Sequence, residues 1–169
     1  MATGTYDLIS SYTITDNSGA SQVDITGFPS TYRTLMLVMR YGGTIANNDL
    51  FVRFNNNATN VYGWASQSAA PGVNTTRGSF LNLTGNASSV SNVTNLTNTM
   101  MLKIISYADT NEYPLILSQG QTSYTTNFFF TQGYFNNSLN TQITSINIYL
   151  YSGNLRQNST FDLYGLAGI

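Results

Sequence analysis

Hydrophobic and polar residues form short alternating or wholly apolar segments along the entire chain, separated by clusters of Gly, Asn, Asp and Ser. Segments of this length that are rich in Thr, Tyr, Phe, Ile and Val are typical of β-strands. No segment shows a convincing helical pattern. The pattern predicts strands at Tyr6–Ile14, Gln22–Thr26, Thr34–Tyr41, Leu50–Phe54, Tyr62–Ala65, Ser79–Leu83, Thr99–Ser106, Pro114–Ser118, Tyr124–Thr131, Ile143–Tyr151 and Thr160–Leu166.

Several of these segments carry apolar residues in both alternating sets, and two of them bear on the architecture. Thr34–Tyr41 is apolar almost throughout, which predicts a strand covered on both faces or lying deep in a sandwich. The triplet Phe128-Phe129-Phe130 must place at least one ring on each face of its strand. If one of those faces is exposed, a second subunit is expected to cover it.

The number and spacing of the segments predict an all-β fold. About ten or eleven strands, roughly one every 15 residues, are typical of a single antiparallel β-sandwich spanning residues 1–169. A jelly roll is the preferred topology, and a barrel or a β-prism is the alternative. The polar stretches Ser66–Gly78 and Gly85–Asn98 are predicted to be long loops, which in compact domains often carry function or an interface.

Composition narrows the possible chemistry. Only 13 of 169 residues are charged, the formal net charge is −1, and the chain has no His and no Cys. A Ser-His-Asp triad, a thiol nucleophile, a disulfide and an imidazole or thiolate metal site are therefore excluded. Six basic residues spread along a near-neutral chain offer no surface for tracking phosphates, so no nucleic-acid partner is expected. We expect no enzyme activity and no cofactor, and place the function in binding or assembly.

The acidic residues remain as candidates for catalysis or metal binding. They are Asp7, Asp16, Asp24, Asp49, Asp109, Glu112 and Asp162. A glycosidase would need two of them facing each other across a cleft, but their scattered positions favour structural roles, and three lie in predicted turns. The clusters Asn47-Asn48-Asp49 and Asn55-Asn56-Asn57 offer oxygen ligands for calcium. They lack the spacing of a calcium loop and are expected to form turns, so no metal site is predicted.

Targeting and modification signals are weak. Eight N-x-S/T sequons begin at Asn57, Asn74, Asn82, Asn86, Asn92, Asn95, Asn136 and Asn158. A chain this rich in Asn, Ser and Thr forms most of these by composition alone. The first residues show no secretory signal, and the longest apolar run, Leu35–Met39, is too short to cross a bilayer. No membrane association is expected.

Three aromatic residues are candidates for an interface or a glycan contact: Tyr62, Trp64 and Phe129. Trp64 is the only tryptophan and lies near the amides of Asn60 and Gln67, as in a sugar-binding platform. The alternative is that Trp64 belongs to the core or to a protein interface. The twelve tyrosines also favour an interface, because Tyr is enriched there.

Several motifs, in order along most of the chain, resemble a family of small virion proteins of tailed bacteriophages. The motifs are Tyr6–Ser11, Ile25–Leu35 with the apolar strand ending at Arg40, Leu50–Asn55 with the later Tyr62, Ile143–Ile148, and Ser159–Leu166. Family members often end just after an aromatic-Leu-Tyr-Gly-Ile stretch, whereas this chain has Leu166 there and three further residues. The stretch 66–98 matches least.

The resemblance implies a capsid decoration (cement) protein or a tail-fibre component, without catalytic residues. The first hypothesis is a decoration protein on the capsid surface. It would be assembled in the host cytoplasm, would form a homotrimer or another small symmetric oligomer, and would bind the major capsid protein lattice through residues 1–14 and the two long loops. The second hypothesis is a tail-fibre or receptor-binding module that recognises host-surface glycans. A surface of uncharged polar residues suits either role, because salt screens charges and not neutral contacts.

Overall fold

The computed structural model describes residues 5–45, 48–67, 73–83, 98–121, 128–136 and 141–167. These residues form twelve strands and no helix. The strands are β1 (Tyr6–Thr13), β2 (Gln22–Thr26), β3 (Thr34–Tyr41), β4 (Leu50–Phe54), β5 (Tyr62–Gln67), β6 (Val73–Gly78), β7 (Leu81–Asn82), β8 (Asn98–Ile105), β9 (Leu115–Gln121), β10 (Phe128–Phe135), β11 (Ser145–Leu150) and β12 (Thr160–Leu166).

The strands form two sheets in which all neighbours are antiparallel. The larger sheet has eight strands in the order β1-β12-β3-β8-β9-β10-β5-β6, and the smaller has four in the order β2-β11-β4-β7. Strands β1 to β5 alternate between the two sheets. The last strand, β12, lies between β1 and β3, so both ends of the chain contribute to one edge of the larger sheet.

One hydrophobic core lies between the two sheets. Side chains of a strand alternate between its faces, and the inward residues Leu35, Leu37 and Met39 of β3 are 0% exposed. Val52 of β4 and Ile148 of β11 belong to the same core from the side of the smaller sheet. Burying a side chain of this size contributes about 1.5–3 kcal/mol, so the inward rows of both sheets hold the sandwich together.

The predicted all-β sandwich is confirmed, and most strands lie where the sequence places them. Gln22–Thr26, Thr34–Tyr41, Leu50–Phe54 and Thr160–Leu166 match the structure to the residue. The jelly-roll topology is not confirmed. The two sheets have eight and four strands, whereas a jelly roll divides eight strands between two sheets.

The predicted loop at Ser66–Gly78 is wrong over much of its length. Strand β5 continues to Gln67, and Val73–Gly78 forms β6, the edge of the larger sheet. This polar segment shows no apolar alternation, yet it pairs with β5 through backbone hydrogen bonds, which do not depend on side-chain type. Of the predicted loop Gly85–Asn98, only Asn98 lies within the described residues, and it begins β8.

Asparagine side chains fix several turns. Asn55 and Asn56 adopt positive φ angles of 54° and 51°, as expected for Asn in turns. The Oδ1 atom of Asn55 accepts hydrogen bonds from the backbone N of Thr144 at 2.7 Å and of Ser145 at 3.2 Å. These bonds join the end of β4 to the start of β11, so the Asn triplet acts as a structural clamp.

Replacing Asn55 tests this clamp. Asn55→Ala is expected to lower the free energy of unfolding by about 2 kcal/mol, because it removes the hydrogen bonds and strains a left-handed backbone. Asn55→Gly relieves the strain and loses only the hydrogen bonds, so a loss of about 1 kcal/mol is expected. Urea denaturation of the three proteins measures both values. Equal stability of Asn55→Ala and the parent would contradict the assignment.

Candidate interaction surface

The three aromatic residues proposed from the sequence do not form an exposed site. Tyr62, Trp64 and Phe129 are only 1%, 9% and 1% exposed. Each occupies an inward position of β5 or β10, and the Trp64 ring centroid lies 6.0 Å from that of Phe80. An exposed glycan platform at Trp64 is therefore not formed. Trp64 belongs to the hydrophobic core cluster and borders one surface depression, in agreement with the alternative of a core or interface tryptophan.

Tyr62 has a structural role inside the sandwich. Its hydroxyl accepts a hydrogen bond from the backbone N of Phe54 at 2.9 Å and lies 3.0 Å from the carbonyl oxygen of Asn57, to which it donates. Its ring packs 5.1 Å from that of Phe135. Burial raises the pKa of the Tyr62 phenol to about 12, because the charged form would be desolvated.

The outward face of the smaller sheet is covered by the protein's own side chains. Phe51 stacks on Phe80 with ring centroids 4.0 Å apart. Tyr149 meets Phe51 edge-on at 5.7 Å, and the guanidinium of Arg53 lies 4.9 Å from the Tyr149 ring centroid. Phe51 is consequently only 4% exposed, and this face presents no bare apolar strip.

The outward face of the larger sheet is different, because it is largely apolar and none of the described segments covers it. We call this surface the outer face. Its most exposed large residues are Phe128 and Leu8, both at 58%, and the rest range from half-buried to about 40% exposed. The apolar members are Tyr6, Leu8, Met36, Val38, Ala65, Met101, Ile105, Leu115, Leu117, Phe128, Phe130, Tyr134, Tyr164 and Leu166.

The strand register arranges the outer face in four rows that run across the sheet from β1 towards β6. Row one is Tyr6, Leu166, Thr34, Ile105, Leu115, Tyr134 and Gly63. Row two is Leu8, Tyr164, Met36, Lys103, Leu117, Gln132 and Ala65. Row three is Ser11, Asp162, Val38, Met101, Gln119, Phe130 and Gln67, and row four is Thr13, Thr160, Arg40, Thr99, Gln121 and Phe128.

Two apolar runs of the sequence contribute side chains to the outer face. Thr34–Tyr41 is predicted to be covered on both faces or to lie deep in a sandwich. It is an interior strand of the larger sheet with its inward side chains buried, while on its outward side Met36 is half-buried and Val38 is 38% exposed. The Phe triplet behaves as predicted, since Phe129 points inward while Phe128 and Phe130 point outward. Sequence reasoning missed the extent of the face, because it did not place β3, β8, β9 and β10 side by side.

Two depressions mark the outer face. One has a volume of about 660 Å³ and lies where the small residues Gly63 and Ala65 stand beside Tyr134 and Leu115. A Cβ atom on Gly63 would lie 2.5 Å from the Tyr134 ring, so the ring rests directly on the glycine. The other depression, of about 310 Å³, is bordered by Val38 and Phe128. The face therefore combines protruding rings with hollows.

Most of the carboxylates hydrogen-bond to neutral groups. Asp162 accepts from the Ser11 hydroxyl, Asp24 from the Asn147 amide at 2.7 Å, and Asp49 from the Asn82 amide at 3.1 Å. Asp16 closes a turn by accepting from the backbone N and the hydroxyl of Ser18, which lowers the pKa of this carboxyl. These bonds favour the structural interpretation of the acidic residues.

Two carboxylates share one hollow. Asp109 and Glu112 border a depression together with Tyr32 and Arg33. Asp109 accepts a hydrogen bond from the backbone N of Asn111 at 2.7 Å, as a turn-forming Asp does. Among the described residues, no three His, Cys, Asp or Glu side chains come together in a group that could hold a metal ion.

The calcium candidates can be placed in part. The Oδ1 atom of Asn48 accepts from the backbone N of Ser152 at 3.0 Å, and its amide donates to the Ser152 carbonyl oxygen. The Oδ1 atom of Asn57 accepts from the backbone N of Thr59 at 2.9 Å. Asn47 lies outside the described residues. Asn48, Asn55 and Asn57 thus hold turns, as the alternative interpretation predicts.

Comparisons with known proteins identify no relative. No protein-family model matches the chain, and neither the curated proteins nor the solved structures gave a match. Within the described part of the chain, no helix is long and apolar enough to span a bilayer. The residues themselves therefore carry the functional argument.

The Phe triplet offers a test of which ring faces the core. Phe129→Ala is expected to lower the free energy of unfolding by about 3–5 kcal/mol, because it leaves a cavity in the packed interior. Phe130→Ala removes an outward ring and is expected to cost less than about 1 kcal/mol in the monomer. Urea denaturation at low protein concentration distinguishes them. A reversed order of the two losses would contradict the inward position of Phe129.

Tyr62 predicts a pH dependence of stability. Its pKa is about 12 in the folded protein against an ordinary value of 10.0, so the unfolded chain loses this proton first as pH rises. Stability from this group is fully present below pH 10 and is lost between pH 10 and about 12. Tyr62→Phe is expected to cost about 1–2 kcal/mol at neutral pH, because Phe54 N loses its acceptor. It should also flatten the alkaline decline.

Denaturant midpoints measured from pH 8 to pH 12 check this expectation. The matched control is Tyr151→Phe, because the Tyr151 side chain is 76% exposed. An alkaline decline as steep in Tyr62→Phe as in the control would contradict the role of the Tyr62 phenol.

Proposed function

We propose that this chain is a structural protein of a tailed-bacteriophage virion, and that it acts as a capsid decoration protein bound to the major capsid protein lattice. The observation that carries the proposal is the uncovered outer face. Monomeric proteins rarely expose apolar patches of more than a few hundred Å². A face eight strands wide with protruding rings therefore supports a function in protein assembly.

The positions of the virion-like motifs support the same proposal. The strands that contain most of the motifs form two sets of adjacent strands. The sets are β1-β12-β3 in the larger sheet and β2-β11-β4 in the smaller. Strand β2 belongs to one set because the Ile25–Leu35 motif begins at its end. The least similar stretch, 66–98, supplies the end of β5 together with β6 and β7, and β6 and β7 are edge strands. Apart from Tyr62, which lies in β5, the motifs thus lie in three adjacent strands of each sheet, as expected if they specify a shared framework.

The scarcity of charge suits a particle surface. The chain has 13 charged residues but 69 Thr, Asn, Ser and Gln residues. Hydrogen bonds and apolar contacts from such a surface are hardly screened by salt, unlike pairs of charges. A decoration protein is present in many copies on one shell, so modest contacts per copy add up through multivalency.

Particles with and without this protein test the proposal. Particles that lack it are expected to release their DNA at lower temperature or after milder osmotic shock, because fewer contacts bridge neighbouring capsomers. Adding back the purified protein should restore the parental release temperature. A labelled antibody should mark the head. Equal release by both kinds of particle, together with no label on the shell, would overturn the proposal.

Salt provides a second readout in the same assay. Rebinding to stripped particles is expected to change by less than about threefold between about 0.05 and 0.5 M salt, because few charges are available to be screened. Label on the tail together with binding on a glycan array would support the receptor-binding alternative instead. Trp64 is only 9% exposed, so this alternative has less support than an exposed tryptophan would give it.

A further inference from the structure

We propose that the outer face is a two-fold self-association surface, so that two copies of the chain pack back to back through their eight-stranded sheets. This inference does not depend on the virion assignment, because it rests on the shape and size of the face alone. It commits to a second copy of this chain as the occupant, in place of the trimer expected from the resemblance.

The area of the face suits a stable dimer. The seven strands that carry the rows, at a spacing of about 4.8 Å, span about 29 Å, and the four rows extend about 20 Å along the strands. The resulting flat area of about 600 Å² per copy, to which protruding side chains add, approaches the roughly 800 Å² per partner of a standard interface. Two sheets packed face to face also reproduce the aligned packing found inside β-sandwiches.

The protruding side chains and the depressions of the outer face are complementary under two-fold symmetry. Consider a two-fold axis that lies in the interface, runs parallel to the rows and passes between rows two and three. Each strand then faces the same strand of the other copy. Row one faces row four, and row two faces row three. Phe128, in row four of β10, then meets row one of β10 and β5 of the partner, where the larger depression is lined by Gly63 and Tyr134. The axis makes the same contact twice, as a closed isologous interface requires.

A second pair of positions matches under the same axis. Leu115, in row one of β9, is 38% exposed and meets Gln121 in row four of β9 of the partner. Gln121 borders the smaller depression beside Val38 and Phe128. Protruding side chains at one end of the face therefore meet hollows at the other end.

The few charges on the face do not oppose this arrangement. Under the same axis, Lys103 of row two faces Met101 of row three, Asp162 faces Tyr164, and Arg40 faces Thr34. No like-charged pair of these three residues lies directly opposite, so they do not repel each other across the interface. Arg77 of β6 borders the larger depression, where its guanidinium can lie against the Phe128 ring of the other copy.

Mass and mutation test the surface. Light scattering should give twice the 18.5 kDa of a single chain. Phe128→Ser is expected to weaken association at least about tenfold, because it removes the most exposed ring of the outer face and the two-fold axis makes that contact twice. Tyr151→Ser is the matched control, since Tyr151 is the most exposed aromatic of the described residues, at 76%, and lies outside the outer face. Its association should change less than about twofold.

Crosslinking tests the axis, and it is clean because the chain has no cysteine. Gln119→Cys lies in row three, so the two copies of this position are offset from each other by one row along the strands. With a spacing of about 10 Å between the two sheets, the two positions lie about 12 Å apart. Gln121→Cys is the matched control on the same strand, with its two copies displaced by three rows and about 23 Å apart. A bismaleimide whose span lies between these distances should crosslink only Gln119→Cys.

Each other outcome overturns the inference. A monomer at all attainable concentrations, or the mass of a trimer, rules out the back-to-back dimer. Association that survives Phe128→Ser but not Tyr151→Ser assigns the interface to another surface. Equal crosslinking of Gln119→Cys and Gln121→Cys rules out the proposed axis. A last outcome is that the purified chain stays monomeric, while the thiol of Gln119→Cys reacts with a maleimide label in the free chain and not on the particle. That result overturns the dimer, because the outer face is then covered by a different protein.

Discussion

The structure depends on one geometric constraint, which is that every strand has two faces and the smaller sheet covers only one face of the larger. The inward residues of β3, such as Leu35 and Leu37, are fully buried against the shared core. The same strand carries Met36 and Val38 on its other side. Because alternation is fixed by the pleat, an apolar strand of the larger sheet such as β3 buries one set of side chains in the shared core and leaves the other set on the outer face.

The two sheets resolve this constraint in different ways. The outward face of the smaller sheet is closed by the stack of Phe51 on Phe80 and by Arg53 over Tyr149. The larger sheet has no comparable cover over Phe128 or Leu8 within the described residues. Amide and hydroxyl groups meanwhile serve as partners for carboxylates, as Asn147 does for Asp24. The protein is thus neutral and polar around its turns and apolar on one broad plane, which favours contacts that persist across salt concentrations.

The parts of the fold that could be predicted from sequence are those in which local pattern and burial agree. Thr34–Tyr41 and Thr160–Leu166 alternate or run apolar, and they form strands with the predicted bounds. Strand β6 could not be predicted, because its pairing with β5 depends on backbone groups and not on side-chain type. The spacing of Tyr62 and Trp64 places both on one face of a strand, but only the packing of the sheets decides that this face is inward. The outer face was foreshadowed by the apolar runs, and its continuity depends on long-range strand order.

A back-to-back dimer would occupy the outer face, so a capsid contact would then have to be made by the remaining surfaces of each copy. Pairing through the larger sheets would leave the two smaller sheets, with their polar turns, on opposite outer sides of the dimer. Turns held by Asn48, Asn55 and Asn57 are fixed in place, so such a surface would lose little entropy on binding. Each dimer would then present two identical neutral surfaces. Two such surfaces on one rigid body can bridge neighbouring capsomers, because the second contact forms at the high effective concentration set by the first.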